Sequence, residues 1–165
     1  EQFNAGRADI MGVEAVLKTR FGLGDGAKGT VQAAYTWTHA QFQSNFQSGF
    51  SQWGTVQKGD LFPYVPAHQG SLGFGVEKGK VTLDLNATFV SEMRDVAGQG
   101  DVEENELIPA NKVIDLAAGY LPRKGTKLYL KVENLLNEAY MVSRRPFGAR
   151  PGKPNQVIVG FKQAL

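Results

Sequence analysis

The sequence predicts an all-β protein with the pattern of a transmembrane antiparallel β-barrel. Three observations carry this expectation: apolar and polar residues alternate along nearly every stretch, the polar faces are too charged to form a core, and the connections alternate between short and long. Period 2 describes 12–21, where Val13, Ala15, Leu17 and Phe21 oppose Glu14, Lys18 and Arg20. It returns at 30–42 (Val31, Ala33, Tyr35, Trp37 against Thr30, Gln32, Thr36) and at 69–77 (Leu72, Phe74, Val76 against Gln69, Ser71, Glu77). The segments 81–92 and 112–121 follow suit, with Leu83, Leu85 and Phe89 opposing Asp84 and Asn86, and Ile114, Leu116 and Tyr120 opposing Asp115. In 127–136, Leu128, Leu130 and Val132 oppose Lys131 and Glu133, and a last strand alternates Val157, Val159 and Phe161 with Gln156 and Lys162. Seven strands and no helix result.

A small sandwich or closed barrel needs an apolar inner face. Here one face carries Glu14, Lys18, Arg20, Asp84, Asp115, Lys131 and Glu133, so the apolar face is expected to point outward to lipid and the charged face inward to a wet or plugged lumen. The connections Gly22–Gly29, Lys78–Lys80 and Pro122–Thr126 are short, whereas Gln43–Ala67, Met93–Asn111 and Asn137–Asn155 are long. Transmembrane barrels place short turns on one side of the membrane and long loops on the other, so the three long loops are expected to lie together outside the cell. A soluble antiparallel sheet with one solvated face is the competing reading of the alternation.

Composition narrows the function. The 18 Lys and Arg against 16 Asp and Glu are scattered, which argues against a nucleic-acid partner. The absence of Cys removes thiol catalysis, disulfides and Cys-ligated metals. No apolar run is long enough for a transmembrane helix, and mean hydropathy of -0.27 is compatible with a barrel because only alternate residues meet lipid. His39 and His68 have no carboxylate beside them and make a poor metal pair. The Gly-x-Gly runs at Gly22–Gly26 and Gly73–Gly75 lack the following helix that a phosphate cradle requires. No catalytic constellation is present, so a non-enzyme is expected and no cofactor is called for.

The stretches DLAAGY (115–120), LYLKVENLLNEAYM (128–141) and RPGKPNQVIVGF (150–161) resemble the last two strands, and the loop between them, of TonB-dependent outer-membrane receptors. NAGRADIMGVE (4–14) and FPYVPAHQGSLGFG (62–75) are similar to earlier strand starts of the same family, in its ferric-siderophore and ferric-chelate branch. The resemblance implies that residues 1–165 are the C-terminal part of a barrel of about 22 strands, with an N-terminal plug outside this chain. It implies transport of a ferric siderophore or similar chelate across the outer membrane of a Gram-negative bacterium, energised through the plug by the TonB system. A porin-like channel and a soluble all-β binding module are the alternatives.

The loops hold the candidate contacts. Phe50 and Trp53, set among Gln and Ser in Gln43–Ala67, combine rigid aromatic and adaptable amide groups suited to a small ligand. Arg144, Arg145 and Arg150 gather near Lys153, with Glu138 as the nearby counter-charge. Arginine offers bidentate donors to carboxylates, so an anionic chelate is one expected partner and anionic lipopolysaccharide at the rim another. Asp101, Glu103 and Glu104 are read as a solvated acidic loop with some capacity for a divalent cation. Tyr35, Trp37, Phe89, Tyr120, Tyr140 and Phe161 are assigned to aromatic girdles at headgroup level. The inward charges are assigned to plug contact or hydration.

Overall fold

The computed structural model describes residues 6–164, so Asn4, Ala5 and Leu165 lie outside the described residues. In chain order the elements are β1 (Ala8–Gly24), β2 (Ala27–Phe42), β3 (Phe46–Gln47), β4 (Thr55–Val56), β5 (His68–Lys78), β6 (Val81–Val90) and β7 (Met93–Arg94). They continue with β8 (Leu107–Ile108), β9 (Asn111–Arg123), β10 (Thr126–Glu133), β11 (Met141–Ser143), β12 (Arg150–Pro151) and β13 (Gln156–Gln163). Seven of them form one antiparallel meander in the order β1-β2-β5-β6-β9-β10-β13, as the alternation predicts. The other six pair as β3-β4, β7-β8 and β11-β12, short ribbons inside the three long loops that the sequence reading left unstructured.

Register turns the alternation into two continuous faces. One row crosses the whole sheet as Thr19, Val31, Phe74, Leu85, Leu116, Val132 and Val157. The neighbouring row on the opposite face reads Arg20, Thr30, Gly75, Asp84, Ala117, Lys131 and Ile158. A side-chain period of two keeps every strand's apolar set on the same side only if no strand slips by one residue. Val16 and Ile158 are apolar exceptions on the charged face.

The apolar face stays bare: Val13, Leu17, Phe74, Leu83, Val159 and Phe161 are all exposed. Met11 and Phe21 lie on it ten positions apart. At a rise of ~3.3 Å per residue and a tilt of ~40°, that separation spans ~25 Å along a barrel axis, the height of a transmembrane apolar band. At the loop end of this band the Tyr35 hydroxyl meets His68 Nδ1 at 2.7 Å, and the rings of Trp37 and His39 stack at 6.4 Å. Phe89 stands in the same band one strand further on, and Tyr120 and Phe161 occupy its turn end. These five aromatics other than His stand towards the two ends of the apolar face.

The short connections are tighter than the sequence reading has them. Asp25-Gly26 closes β1-β2 with both residues at positive φ (48° and 71°), the Asp-Gly turn whose twist matches paired strands. The hairpin therefore runs to Gly24 and resumes at Ala27 rather than opening over Gly22–Gly29. At the other extreme β10 stops at Glu133 instead of 136, because Asn134 takes a positive φ of 49° that ends the extended chain. Leu136 continues the apolar parity in sequence only, and both it and Leu135 are exposed.

Burial is concentrated at the loop end. The buried apolar residues are Ala40, Phe42, Val56 and Ile108, and the buried polar ones are Asp60, Arg94, Asp95 and Asn134. The sheet is thus a wall between two environments, and the packed core belongs to the loops.

Candidate functional site

The loop joining β2 to β5 is built on Phe42. Its ring packs edge-on against Phe62 at 4.0 Å, Phe46 at 5.2 Å and Trp53 at 5.7 Å. Phe50 packs edge-on against Trp53 at 5.9 Å and is more than half exposed. Trp53 is half-buried in this cluster, so of the two aromatic candidates Phe50 offers the larger free face. Such ring pairs contribute about 0.5–1.5 kcal/mol each beyond area burial, enough to order a loop that has only a two-residue ribbon of its own.

This loop is tied to the one joining β6 to β9. Buried Asp60 accepts from Gln57 N through Oδ2 (2.8 Å) and from Gln99 Nε2 through Oδ1 (3.0 Å). Leu61 N donates to Gly98 O at 2.9 Å, Ala97 N to Gln52 O at 2.8 Å, and Tyr64 N to Arg94 O at 2.9 Å.

The arginines bring in the third loop. Arg144 Nε donates to Leu107 O at 2.7 Å and its Nη2 to Glu104 O at 2.8 Å. The backbone amides of Arg144 and Arg145 both donate to the Tyr64 hydroxyl, at 3.3 and 3.0 Å. Arg145 Nε stands 3.0 Å from Asp95 Oδ2, an ion pair whose carboxylate is buried and whose N–H is not aimed at the oxygen. The expectation that Glu138 is the nearby counter-charge is therefore corrected: Asp95, fifty positions upstream, fills that role, and Arg144 is engaged by main-chain carbonyls. Arg150 is exposed on β12, its side chain without a hydrogen-bond or ion-pair partner among the described residues, and Phe147 projects from the loop tip at 95% exposure. Asp101, Glu103 and Glu104 lie in the middle loop, where Glu104 contributes its carbonyl to Arg144. Among the described residues no group of three or more His, Asp or Glu is placed to hold a metal.

A second correction concerns Tyr140. It does not join a girdle: its ring lies over Gly152, where a Cβ would collide with it. It is held there by the hub around Asn134, which the sequence reading missed. Asn134 is 1% exposed; its Nδ2 donates to Glu138 O and Lys153 O (both 2.9 Å) while its Oδ1 accepts from Glu138 N at 2.8 Å. Its own amide donates to Asp115 Oδ1 at 2.9 Å, and Asn155 N donates to Asn137 Oδ1 at 3.0 Å. The signal was local: two Asn three apart after a strand, a residue type that tolerates positive φ and bonds its own backbone.

Part of the charged face pairs internally. Glu133 is bridged by Lys131 at 2.5 Å and Lys153 at 3.2 Å, and Asp115 is engaged by Asn134, so these three of the seven inward charges have partners within the chain. Lys18, Arg20 and Asp84 instead line a hollow of about 270 Å³ in the wall.

An antiparallel sheet with one bare apolar face, one charged face and loops folded together at one end has the build of a membrane β-barrel wall. The family model for the TonB-dependent receptor-like β-barrel matches residues 1–135, and the chain belongs to that family. Its members are receptors and transporters of the Gram-negative outer membrane rather than enzymes. No curated protein sequence matches the chain. Among solved structures, it resembles the siderophore receptor PiuA from Acinetobacter baumannii at TM-score 0.72 and 19% identity, covering 94% of this chain and 22% of that one. It also resembles the ferric yersiniabactin uptake receptor FyuA from Yersinia pestis (TM-score 0.67, 16% identity, covering 97% and 24%). The copper transporter OprC is similar too (TM-score 0.63, 19% identity, covering 94% and 23%). The chain thus spans about a quarter of the length of these structures, and the likeness at such identities is one of fold.

Proposed function

We propose that this chain is the C-terminal part of the barrel of an outer-membrane receptor that captures a ferric siderophore or similar iron chelate. The remaining strands and an N-terminal plug complete the molecule, and the TonB system drives uptake through that plug. The observation that carries the reading is the cap: three loops from one end of the sheet are bonded to one another, and Phe50, Trp53 and Arg150 belong to them. Phe50 and Trp53 are the aromatic contacts for the chelate and Arg150 the cationic one. Arg144 and Arg145 position the last loop. Lipopolysaccharide surrounds the rim, where Lys112 stands on the outward face beside Phe89.

The test is radiolabelled iron uptake by iron-starved cells whose only chelate receptor is the full-length protein. Uptake is expected to saturate, to stop when TonB is deleted, and to lose affinity in Phe50→Ala. Uptake that persists without TonB would indicate a porin-like channel, and copper uptake without iron uptake would overturn the choice of metal.

A further inference from the structure

Between the end of the middle loop and the two arms of the last loop lies a cavity of about 690 Å³, within the ~300–1,000 Å³ range of small-molecule sites. Its walls are mainly apolar, from Pro109, Ala139, Tyr140, Met141 and Pro151 among others. Its shape is fixed in advance. Gly152 N donates to Tyr140 O at 2.8 Å, β11 and β12 pair through Met141 and Pro151, and Asn134 holds the carbonyls of Glu138 and Lys153. Gly152 admits the Tyr140 ring where the Cβ of any larger residue would collide with it.

Two lining residues are charged, Arg150 and Glu138, of opposite sign. Both are exposed, neither side chain has a partner among the described residues, and they do not pair with each other. Every other long-range charge contact of this loop is satisfied: Arg145 by Asp95, Lys153 by Glu133 and Arg144 by carbonyls. An apolar chamber with one free cation and one free anion is complementary to a ligand built the same way. A simple anion would satisfy Arg150 and leave Glu138 facing it; an uncharged apolar ligand would leave both idle.

We infer that this cavity is a binding site for a dipolar ligand with an apolar body, of the amino-acid or short apolar peptide class, its carboxylate on Arg150 and its ammonium on Glu138. The inference extends the reading above at Arg150 and does not depend on which metal is carried. Three probes share one body: leucyl-phenylalanine, its N-acetyl form lacking the ammonium, and its C-terminal amide lacking the carboxylate. Titration calorimetry of the detergent-solubilised full-length receptor, without iron, should rank the unmodified dipeptide tightest. Arg150→Gln should weaken the dipeptide and the acetyl form about 10-fold or more while sparing the amide, and Glu138→Gln should weaken the dipeptide and the amide while sparing the acetyl form. Ala139→Trp, at an exposed wall position, should abolish all three by filling the chamber. Failure of the wild type to bind the dipeptide, or equal binding of the three probes in all variants, overturns the inference; iron uptake that continues in that case leaves the receptor reading standing.

Discussion

Asn134→Ala tests the idea that one side chain holds the last loop. The side chain makes three hydrogen bonds and is almost fully enclosed, so its removal leaves the Glu138 amide and the carbonyls of Glu138 and Lys153 without partners. At about 1 kcal/mol per neutral bond the loss is about 3 kcal/mol, and the left-handed backbone at φ 49° adds about 1 kcal/mol for alanine. Asn134→Gly removes the bonds without the backbone penalty and should cost about 3 kcal/mol. The opening is local, so hydrogen exchange of the full-length receptor in nanodiscs is the assay, read at the amides of Glu138, Gly152 and Asn155. At about 1.4 kcal/mol per decade, exchange should quicken by about two orders of magnitude in the glycine variant and several-fold more in the alanine one, while β5 and β6 keep their protection. Exchange within about threefold of wild type in both variants, against the decades that 1.4 kcal/mol steps imply, would refute the hub.

Three further outcomes are expected. Single cysteines at Ser51, Asp101 and Phe147, in an otherwise Cys-free receptor, should react with an impermeant maleimide on intact cells, and one at Lys124 should not; equal labelling at Lys124 would break the assignment of sides. Leu85→Arg, in the middle of the outward row, should cost about 2–4 kcal/mol and lower the folded fraction on heat-modifiable gels, whereas Asn86→Arg on the inward face should be tolerated. Asp95→Asn and Arg145→Gln should each sensitise the last loop to protease on intact cells, and the double variant should be less sensitive than the two effects added together, because each single change leaves an unpaired charge; strict additivity would show the pair to be uncoupled.

The wall was legible in the sequence because its rule is local. Each residue's face follows from its parity, and Leu85, Phe74 and Leu116 reach the same row without reference to one another. The turn signals were equally local, although Asp25-Gly26 carried more information than the reading took from it. The cap was not legible because its bonds join residues far apart in the chain. Arg144 and Arg145 look free when read beside Glu138 alone; only the folded loops bring Tyr64, Asp95 and Leu107 to them. Charge density therefore marks the loop and Arg150 within it, while overstating how many of its cations lack partners. Tyr140 was misassigned for a similar reason: its parity suggests a strand, but Asn134 and Asn137, both at positive φ, have already turned the chain.

The contacts among the loops also act as a checksum on strand alignment. A slip of one residue would turn a strand inside out and meet the full penalty of charge in lipid, but a slip of two restores the alternation and goes undetected by either the bilayer or the lumen. Such a slip displaces a loop's anchor by ~7 Å, which would carry Tyr64 out of reach of Arg144 and Arg145, and Asp95 away from its arginine. Since these groups sit on loops from three successive hairpins, the same few bonds audit the alignment of β2 through β10 at once.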